Sequence, residues 1–437
     1  MLKQIKERIL NRDDFWGNLF RNVITIFSGN VFASFLSFIS SFLILQTLST
    51  SDYGKIVIAI NYMNMIDLLV NFQSWTGVVK FGSEALENKK TNLASIIKAG
   101  MSLDLSTSFL GTVLGITLLP LISMIFNWDK QISLFCFCFC FEILFHLDGT
   151  FTGIFRLFDK FKYVSIHLVI NELIKLFIIL SLYFTHCQNI LLYVICYVCL
   201  DVIKFSSFVI IGLLLLHKRI GLKNIIRAKY SELDKKFWQF TIWANLASTV
   251  DAPIKYCDTF FLSLLSIELV SAYNVFKKII AIFGMTITPI SQAIMPQLAK
   301  LIAAGKQKES YFKMHKLRNL IFVIGVPFII LLGLFAPILL RIANKSDLIQ
   351  YLWILYFLLG INLIAYCYLG IHPLFSAFGF SKYDFFITFT SNLVYLIIIS
   401  LLIHHISVLA IVIGTFVQLL ITIISKEFIL RISVKQQ

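Results

Sequence analysis

The feature that most constrains this chain is a series of uninterrupted apolar runs, each about as long as a lipid bilayer is thick. An α-helix rises 1.5 Å per residue, so about 20 apolar residues cross the ~30 Å hydrocarbon core. On that rule, spans are predicted at 22–46, 56–79, 94–118, 131–155, 163–185, 190–216, 238–263, 270–297, 317–340, 348–375, 385–403 and 406–425. With 58% of its 437 residues apolar, 14% charged and a mean hydropathy of +0.85, the chain lacks the polar surface that a soluble globule needs. The runs are continuous, whereas the strands of an outer-membrane barrel alternate polar and apolar residues. The expected fold class is therefore an all-α polytopic membrane protein with about 12 transmembrane helices.

The 38 Lys and Arg against 23 Asp and Glu, +15 overall, would point a soluble protein toward nucleic acid. In a membrane protein the same excess reports topology, because cytoplasmic loops concentrate Lys and Arg. Counting Lys98 and Arg318 with the loops they adjoin, 29 of the 38 lie at the N-terminus, in the even-numbered loops or in the C-terminal tail, and only four lie in the odd-numbered loops. Both termini are accordingly expected in the cytoplasm, and no nucleic-acid partner is expected. Residues 1–20 read as an amphipathic cytoplasmic helix with Leu2, Ile5, Ile9 and Phe20 turned to the interface, and they lack the apolar core of a cleavable signal.

The longest polar connection, 218–237, carries seven basic residues and divides the chain into six-span lobes at 1–217 and 238–437. A weak repeat supports the division. LSTSDYGK around Tyr53 has a counterpart in LSIELVSAYNVFKK around Tyr273, at an offset of about 220, and the loops after the second and eighth spans correspond at about 217. Six spans per half, both halves starting on the same side, make this a parallel repeat.

Ionisable and amide groups at bilayer depth cost a few kcal/mol each on insertion scales, so each one asks for a partner or a wet cavity. Asn30, Ser34, Ser37 and Ser41 form a stripe on the first span, and Asn61, Asn64, Asp67, Asn71 and Ser74 form another on the second. Thr241, Ser248, Asp251, Lys255 and Asp258 share a face of the seventh span, and Tyr273, Asn274, Lys277 and Lys278 lie on the eighth. Stripes at matching places in the two halves point to a polar cavity between them, although small and amide residues also serve helix packing. Glu172 with Lys175 and Asp201 with Lys204 can neutralise each other at i, i+3. Glu142 and Asp148 on the fourth span have no partner within their own helix, and they are the candidates for a carboxylate that titrates during transport. The eight cysteines lie in or beside apolar runs and read as packing residues, with no metal site. No phosphate-binding glycine loop, HExxH or GxSxG motif is present, so neither a cofactor nor an enzymatic activity is expected.

These features resemble the polysaccharide transporter branch of the multidrug/oligosaccharidyl-lipid/polysaccharide exporter superfamily, in particular the repeat-unit (O-antigen type) flippases called Wzx. The residues that carry the resemblance are Leu48, Ser49, Asp52, Tyr53 and Gly54 after the first span, Tyr256 to Ile279 with Asp258, Tyr273 and Lys277, and RLFDKFKY from Arg156. One departure is that Asn274, not glycine, follows Tyr273. The resemblance implies a V-shaped, two-lobed exporter. It would move an undecaprenyl-pyrophosphate-linked glycan across the bacterial inner membrane by alternating access, for O-antigen or capsular polysaccharide assembly, beside a polysaccharide polymerase and a chain-length regulator. Such cargo asks for amides, hydroxyls and a few cations, which makes Asn30, Asn61, Asn64, Asp67, Asn71, Asp251, Lys255, Asp258, Lys277 and Lys278 the candidate substrate-binding residues.

Two other classes compete. A multidrug or cation antiporter of the same superfamily would place a carboxylate on the first span as its ion site, and none occurs between Phe20 and Leu48. A membrane-bound polymerase or acyltransferase would need a larger outer loop, and the odd-numbered loops hold at most about a dozen residues.

Overall fold

The computed structural model describes residues 15–71, 74–88, 92–158, 160–230, 235–250 and 253–435. The first fourteen residues, including most of the expected amphipathic helix, lie outside that set. In chain order the helices are α1 (Phe15–Thr47), α2 (Thr50–Val70), α3 (Ser74–Asn88), α4 (Leu93–Ile125), α5 (Lys130–Ile143), α6 (Asp148–Leu157), α7 (Phe161–Phe184), α8 (Ile190–Arg219) and α9 (Leu222–Arg227). They continue as α10 (Lys235–Thr249), a π-helical turn (Pro253–Cys257), α11 (Asp258–Ser263), α12 (Ile267–Ala303), α13 (Gln307–Ile342), a 3-10 turn (Ser346–Tyr351), α14 (Leu352–Cys367), α15 (Ile371–Ala377), α16 (Ser381–Ile406) and α17 (Leu409–Lys435). Among the described residues each of the twelve predicted spans is mostly helical, nine helices are long and apolar enough to cross a membrane, and the chain is a multi-pass membrane protein. Phe177, Leu334 and Leu401 are each about two-thirds exposed, which is tolerable for side chains that face lipid and an aggregation liability for the same chains in water.

Four spans are not single helices. The second breaks between Val70 and Ser74, the fourth at 144–147, the seventh around the π-helical turn and the tenth at 368–370. Hydropathy averaged over a span does not register such breaks, because the apolar residues on either side outweigh the few polar ones at the break, such as Asn71 and His146. In hydrocarbon a broken helix frees backbone N–H and C=O groups that must be satisfied inside the protein or by water, so the breaks occur where other helices can supply partners.

By mutual packing the chain groups into two units, 47–271 and 1–46 with 272–437. This grouping and the six-and-six division by chain order differ at the first and seventh helices. The 47–271 unit has an apolar core at its even-loop end built from Val78 and Phe81 of α3, Phe151 and Phe155 of α6, Phe208 of α8 and Phe237 of α10. The connection after the sixth span joins this core: Ile225 of α9 is buried, and Lys98 Nζ donates to the carbonyls of Ile226 (2.7 Å) and Ala228 (2.8 Å). At the odd-loop end, Phe126 and Trp128 from the turn between α4 and α5 pack on Phe260 of α11, and Trp128 Nε1 donates to Ser263 Oγ at 2.8 Å.

The repeat seen in the sequence has a structural counterpart at this odd-loop end. Ser49 caps α2 by accepting from Asp52 N (3.0 Å), and Ser266 precedes α12 and accepts from Leu269 N (3.1 Å). These two serines are 217 residues apart, so the caps set the register at the offset of the inner loops rather than at the 220 suggested by the tyrosines. In that register the counterpart of Gly54 is Ser271, another small residue, which resolves the apparent loss of the glycine. The two residues meet: Ser271 Oγ donates to the Thr50 carbonyl, and a Cβ on Gly54 would lie 2.5 Å from the Ile267 carbonyl oxygen. Gly54→Ala is expected to destabilise the protein by about 1–3 kcal/mol, because the obstructing atom belongs to the backbone. Gly360→Ala, where nothing lies within 4 Å, serves as the control and is expected to be neutral or stabilising. Thermal unfolding in detergent compares the two, and equal midpoints for G54A and wild type would refute the close contact.

Candidate functional site

Within the 47–271 unit, polar groups gather at the junction of the broken second and fourth spans. Helix α6 starts at Asp148 after Leu147, whose side chain cannot cap, so its first N–H groups need partners from elsewhere. Helix α4 supplies them. Asp104, buried at 4% exposure, accepts from Thr150 N at 2.7 Å, and Ser108, one turn further on, donates to the His146 carbonyl at 3.1 Å. One face of α4 thus satisfies both sides of the break. The Thr150 hydroxyl donates to Ser74 Oγ (3.3 Å), and the Ser74 hydroxyl in turn reaches the Asp104 carboxylate. Ser74 is the first residue of α3, so the N-terminal ends of two half-helices converge on one carboxylate, where their dipoles favour negative charge. Such an approach requires a missing side chain: a Cβ on Gly149 would lie 2.5 Å from Ser74 Oγ and 3.1 Å from Asp104 Oδ1.

Beside this junction, His146 Nδ1 lies 3.0 Å from Asp67 Oδ1, a carboxylate–imidazole pair that links the end of α2 to the break in the fourth span. The His146 ring packs on Phe205 at 4.1 Å between centroids, and its Nε2 is buried without a hydrogen-bond partner among the described residues. One turn earlier, Glu142 is fully buried, and neither carboxylate oxygen has a hydrogen-bond partner among the described residues. Asp201, Lys204 and Lys175 are the charges that act on it. Asp201 and Lys204 form the expected pair at 3.3 Å, whereas Lys175 places its ammonium 4.5 Å from the centre of the Tyr197 ring. Asp148, half-buried, opens α6 and lies within the field of His146. The arrangement brings titratable groups close to backbone released from helical bonding.

The residues selected from the sequence have varied placements. Asp67 joins the junction. Asn61 donates to the Val57 carbonyl of its own helix (2.8 Å), Asn64 is half-buried on α2, and Asn71 is the extended C-cap that ends α2, so the second-span stripe stops at the break. Asp258 accepts from the backbone and side chain of the adjacent Thr259 (2.6 and 3.2 Å) and serves the start of α11, while Lys255 is exposed on the π-helical turn. Asp251 lies outside the described residues, as does the side chain of Asn30. In the other unit, Lys278 donates to Ser41, and the Lys277 ammonium sits 5.1 Å from the centre of the Tyr273 ring. The described candidates belong to both units: Asn61, Asn64, Asp67, Asn71, Lys255 and Asp258 to one, Lys277 and Lys278 to the other.

Two groups escaped the sequence reading. Asp104 stands alone as a carboxylate inside the third span, and that was signal enough to select it. The second group is a network in the 272–437 part. Lys426, fully buried on α17, pairs with Asp384 of α16 and contacts His372 Nδ1 of α15 at 2.6 Å. One residue on, Glu427 accepts from Tyr311 and lies 3.1 Å from His315 Nε2 and 3.2 Å from Arg431 Nε. Asp384, Lys426 and Glu427 fall one or two residues beyond the predicted spans and so counted as loop; helices that run past the apolar window bring them into the bundle.

The capping role of Asp104 is testable. Asp104→Asn keeps one carbonyl acceptor for Thr150 N–H, while Asp104→Leu leaves that buried donor unpaired at a cost of about 1–3 kcal/mol. The unfolding midpoint in detergent is expected to fall clearly for D104L and less for D104N; an unchanged midpoint for D104L would exclude the carboxylate as a cap.

Comparison with known proteins places this geometry in a family. The family described as polysaccharide biosynthesis protein matches residues 19–302. The inner membrane protein YghQ of Escherichia coli K12 is 26% identical over 155 residues, a stretch that is 35% of this chain and 44% of that protein. Among solved structures, an inward-facing multidrug resistance MATE family transporter of the MOP superfamily superposes with a TM-score of 0.76 at 12% identity, covering 92% of this chain and 96% of that one. A MOP superfamily transporter from Pyrococcus furiosus, whose description notes a reversed polarity of its binding pocket, gives 0.65 at 13% identity over 95% and 96%. The fold is that of the MATE transporters, and the chain belongs to the polysaccharide biosynthesis protein family.

Proposed function

We propose that this protein is a flippase that moves undecaprenyl-pyrophosphate-linked oligosaccharide units across the bacterial inner membrane for O-antigen or capsular polysaccharide assembly. The observation that carries this reading is the family match over residues 19–302 in a chain with an exporter fold. The chemistry of the polar residues supports it. A sugar pyrophosphate crossing a bilayer needs hydroxyls, amides and cations along its path while its prenyl tail stays in lipid. Asn61, Asn64 and Asp67 in one unit and Lys277 and Lys278 in the other supply those groups. A flippase, unlike a drug exporter, needs no extrusion of a free solute and can be drawn forward by consumption of the flipped lipid. Glu142 and Asp148 are the groups through which a proton gradient would act.

Proteoliposomes loaded with undecaprenyl-pyrophosphate-linked oligosaccharide test both statements. Wild type is expected to move the glycan to the far leaflet, where it becomes accessible to an added lectin, and an imposed pH gradient is expected to speed that movement. Glu142→Gln and Asp148→Asn should bind substrate and lose the gradient response. No movement by wild type would refute the flippase reading, and an intact gradient response in both variants would remove these carboxyls from coupling.

The reading also places both termini in the cytoplasm, on the strength of the basic even-numbered loops. The name of the Escherichia coli relative supports the inner membrane as the location. Reporter fusions after Lys229 and Lys308 are expected to report cytoplasm and a fusion near Asn189 periplasm; any exchange between these sides would refute the orientation.

A further inference from the structure

The 47–271 unit has a second polar feature that the sequence reading did not select, a cavity of about 520 Å³ between α3 and α10. It lies at the even-loop end, where α3 finishes and α10 begins. Helix α3 lines it with Lys80, Phe81 and Glu84, and α10 with Lys236, Gln239, Phe240 and Trp243, each set at helical spacing on one face. Gly77 lets the two helices approach, since a Cβ there would lie 2.7 Å from Thr241 Oγ1. The floor is stiff, because Phe81 packs edge-on against both Phe237 (5.6 Å) and Phe240 (5.9 Å). Above it the Lys80 ammonium stands 4.2 Å from the centre of the Phe240 ring, and Trp243 leaves 65% of its surface uncovered.

We propose that this cavity binds the sugar-phosphate end of a lipid-linked glycan on the even-loop side before translocation. The proposal rests on the flippase reading and names where its substrate is first held. Lys80 and Lys236 provide two ammonium groups for the phosphate oxygens, and charge-assisted bonds of this kind are roughly twice as strong as neutral ones. The open face of Trp243 offers an apolar plane to the C–H face of a pyranose ring. Glu84 accepts from sugar hydroxyls, and the Gln239 amide both donates and accepts. On the same helix as Trp243, Ile242 and Leu246 are each nearly half-exposed and provide an apolar surface for the first isoprene units. An anion-only site would have no use for the carboxylate or the uncovered indole; a site for an apolar drug would have no use for two lysines.

The test uses full-length protein in nanodiscs and a radiolabelled ten-carbon prenyl-pyrophosphoryl-N-acetylglucosamine as probe, with bound label counted after filtration. The Lys80→Gln, Lys236→Gln double variant is expected to weaken binding on the order of tenfold or more, and Trp243→Ala severalfold. All three positions are exposed, so the variants should fold as wild type does. Inorganic pyrophosphate and phosphatidylglycerol vesicles, which share the phosphate but lack the sugar, are expected to compete weakly. Competition by either as strong as that by the probe would overturn sugar recognition, and an unchanged Kd in the double variant would overturn the cavity as the site. The flipping assay separates this proposal from the one it rests on. Wild-type flipping with an unchanged half-saturating concentration in the variants refutes the cavity and leaves the flippase; variant-sensitive binding without wild-type flipping does the reverse.

Discussion

The 47–271 unit depends on one requirement: a helix broken inside a membrane must have its released backbone groups satisfied by protein. The second and fourth spans break next to each other, and a single carboxylate, Asp104, receives the N-terminal ends of both following half-helices. Ser108, on the same face of α4, takes the carbonyl on the other side of the fourth-span break. Without these partners, α6 would begin with unpaired donors in a medium where each costs several kcal/mol. The residues around the junction follow from that geometry. Gly149 is glycine because Ser74 Oγ occupies the place of its Cβ, and Gly100 because Thr150 Oγ1 would meet a Cβ there at 2.6 Å.

A junction built in this way also gathers chemistry that unbroken helices would keep apart. His146 lies in the turn between α5 and α6, and there it reaches Asp67 at the end of α2. Glu142, one turn before the break, is left without a hydrogen-bond partner among the described residues while charges of both signs, Asp201 and Lys204 on α8 and Lys175 on α7, act on it. Strain-free packing does not need a wholly buried carboxyl in that state, which is why it is the candidate for proton exchange. The second network, Lys426 with Asp384 and His372 and Glu427 with Tyr311, His315 and Arg431, has a different character. Its members pair with one another across several helices, with Glu427 Oε2 alone of the Glu427 oxygens lacking a hydrogen-bond partner among the described residues, an arrangement suited to holding a bundle together.

Much of the fold was legible in the order of the residues, for a physical reason. The bilayer imposes a length and a polarity that each span meets locally, so twelve spans and the basic bias of alternate loops can be read without knowing which helix touches which. The repeat was legible too, although its register was not. Tyr53 and Tyr273 suggested an offset of 220, and the caps at Ser49 and Ser266 show 217, because a cap is a backbone event whose serine is indistinguishable from other serines until the helix start is known.

The tertiary structure decided which intramembrane polar groups act together. Asn61 and Asp67 belong to the same stripe, yet one bonds back to its own helix while the other pairs with a residue 79 positions away. Asp104 could be seen in the sequence as a lone carboxylate in an apolar run, but its partners could not, and the Lys426 network was hidden because it lies just past apolar windows whose helices continue. The cavity between α3 and α10 joins residues about 160 positions apart, and its lysines read in the sequence only as members of basic loops. The chain by itself determined a membrane protein of about twelve helices, since hydropathy and charge bias are sums over local residues. Where those helices break, and which side chains meet at the breaks, depends on contacts between distant segments, and only the folded chain decides them.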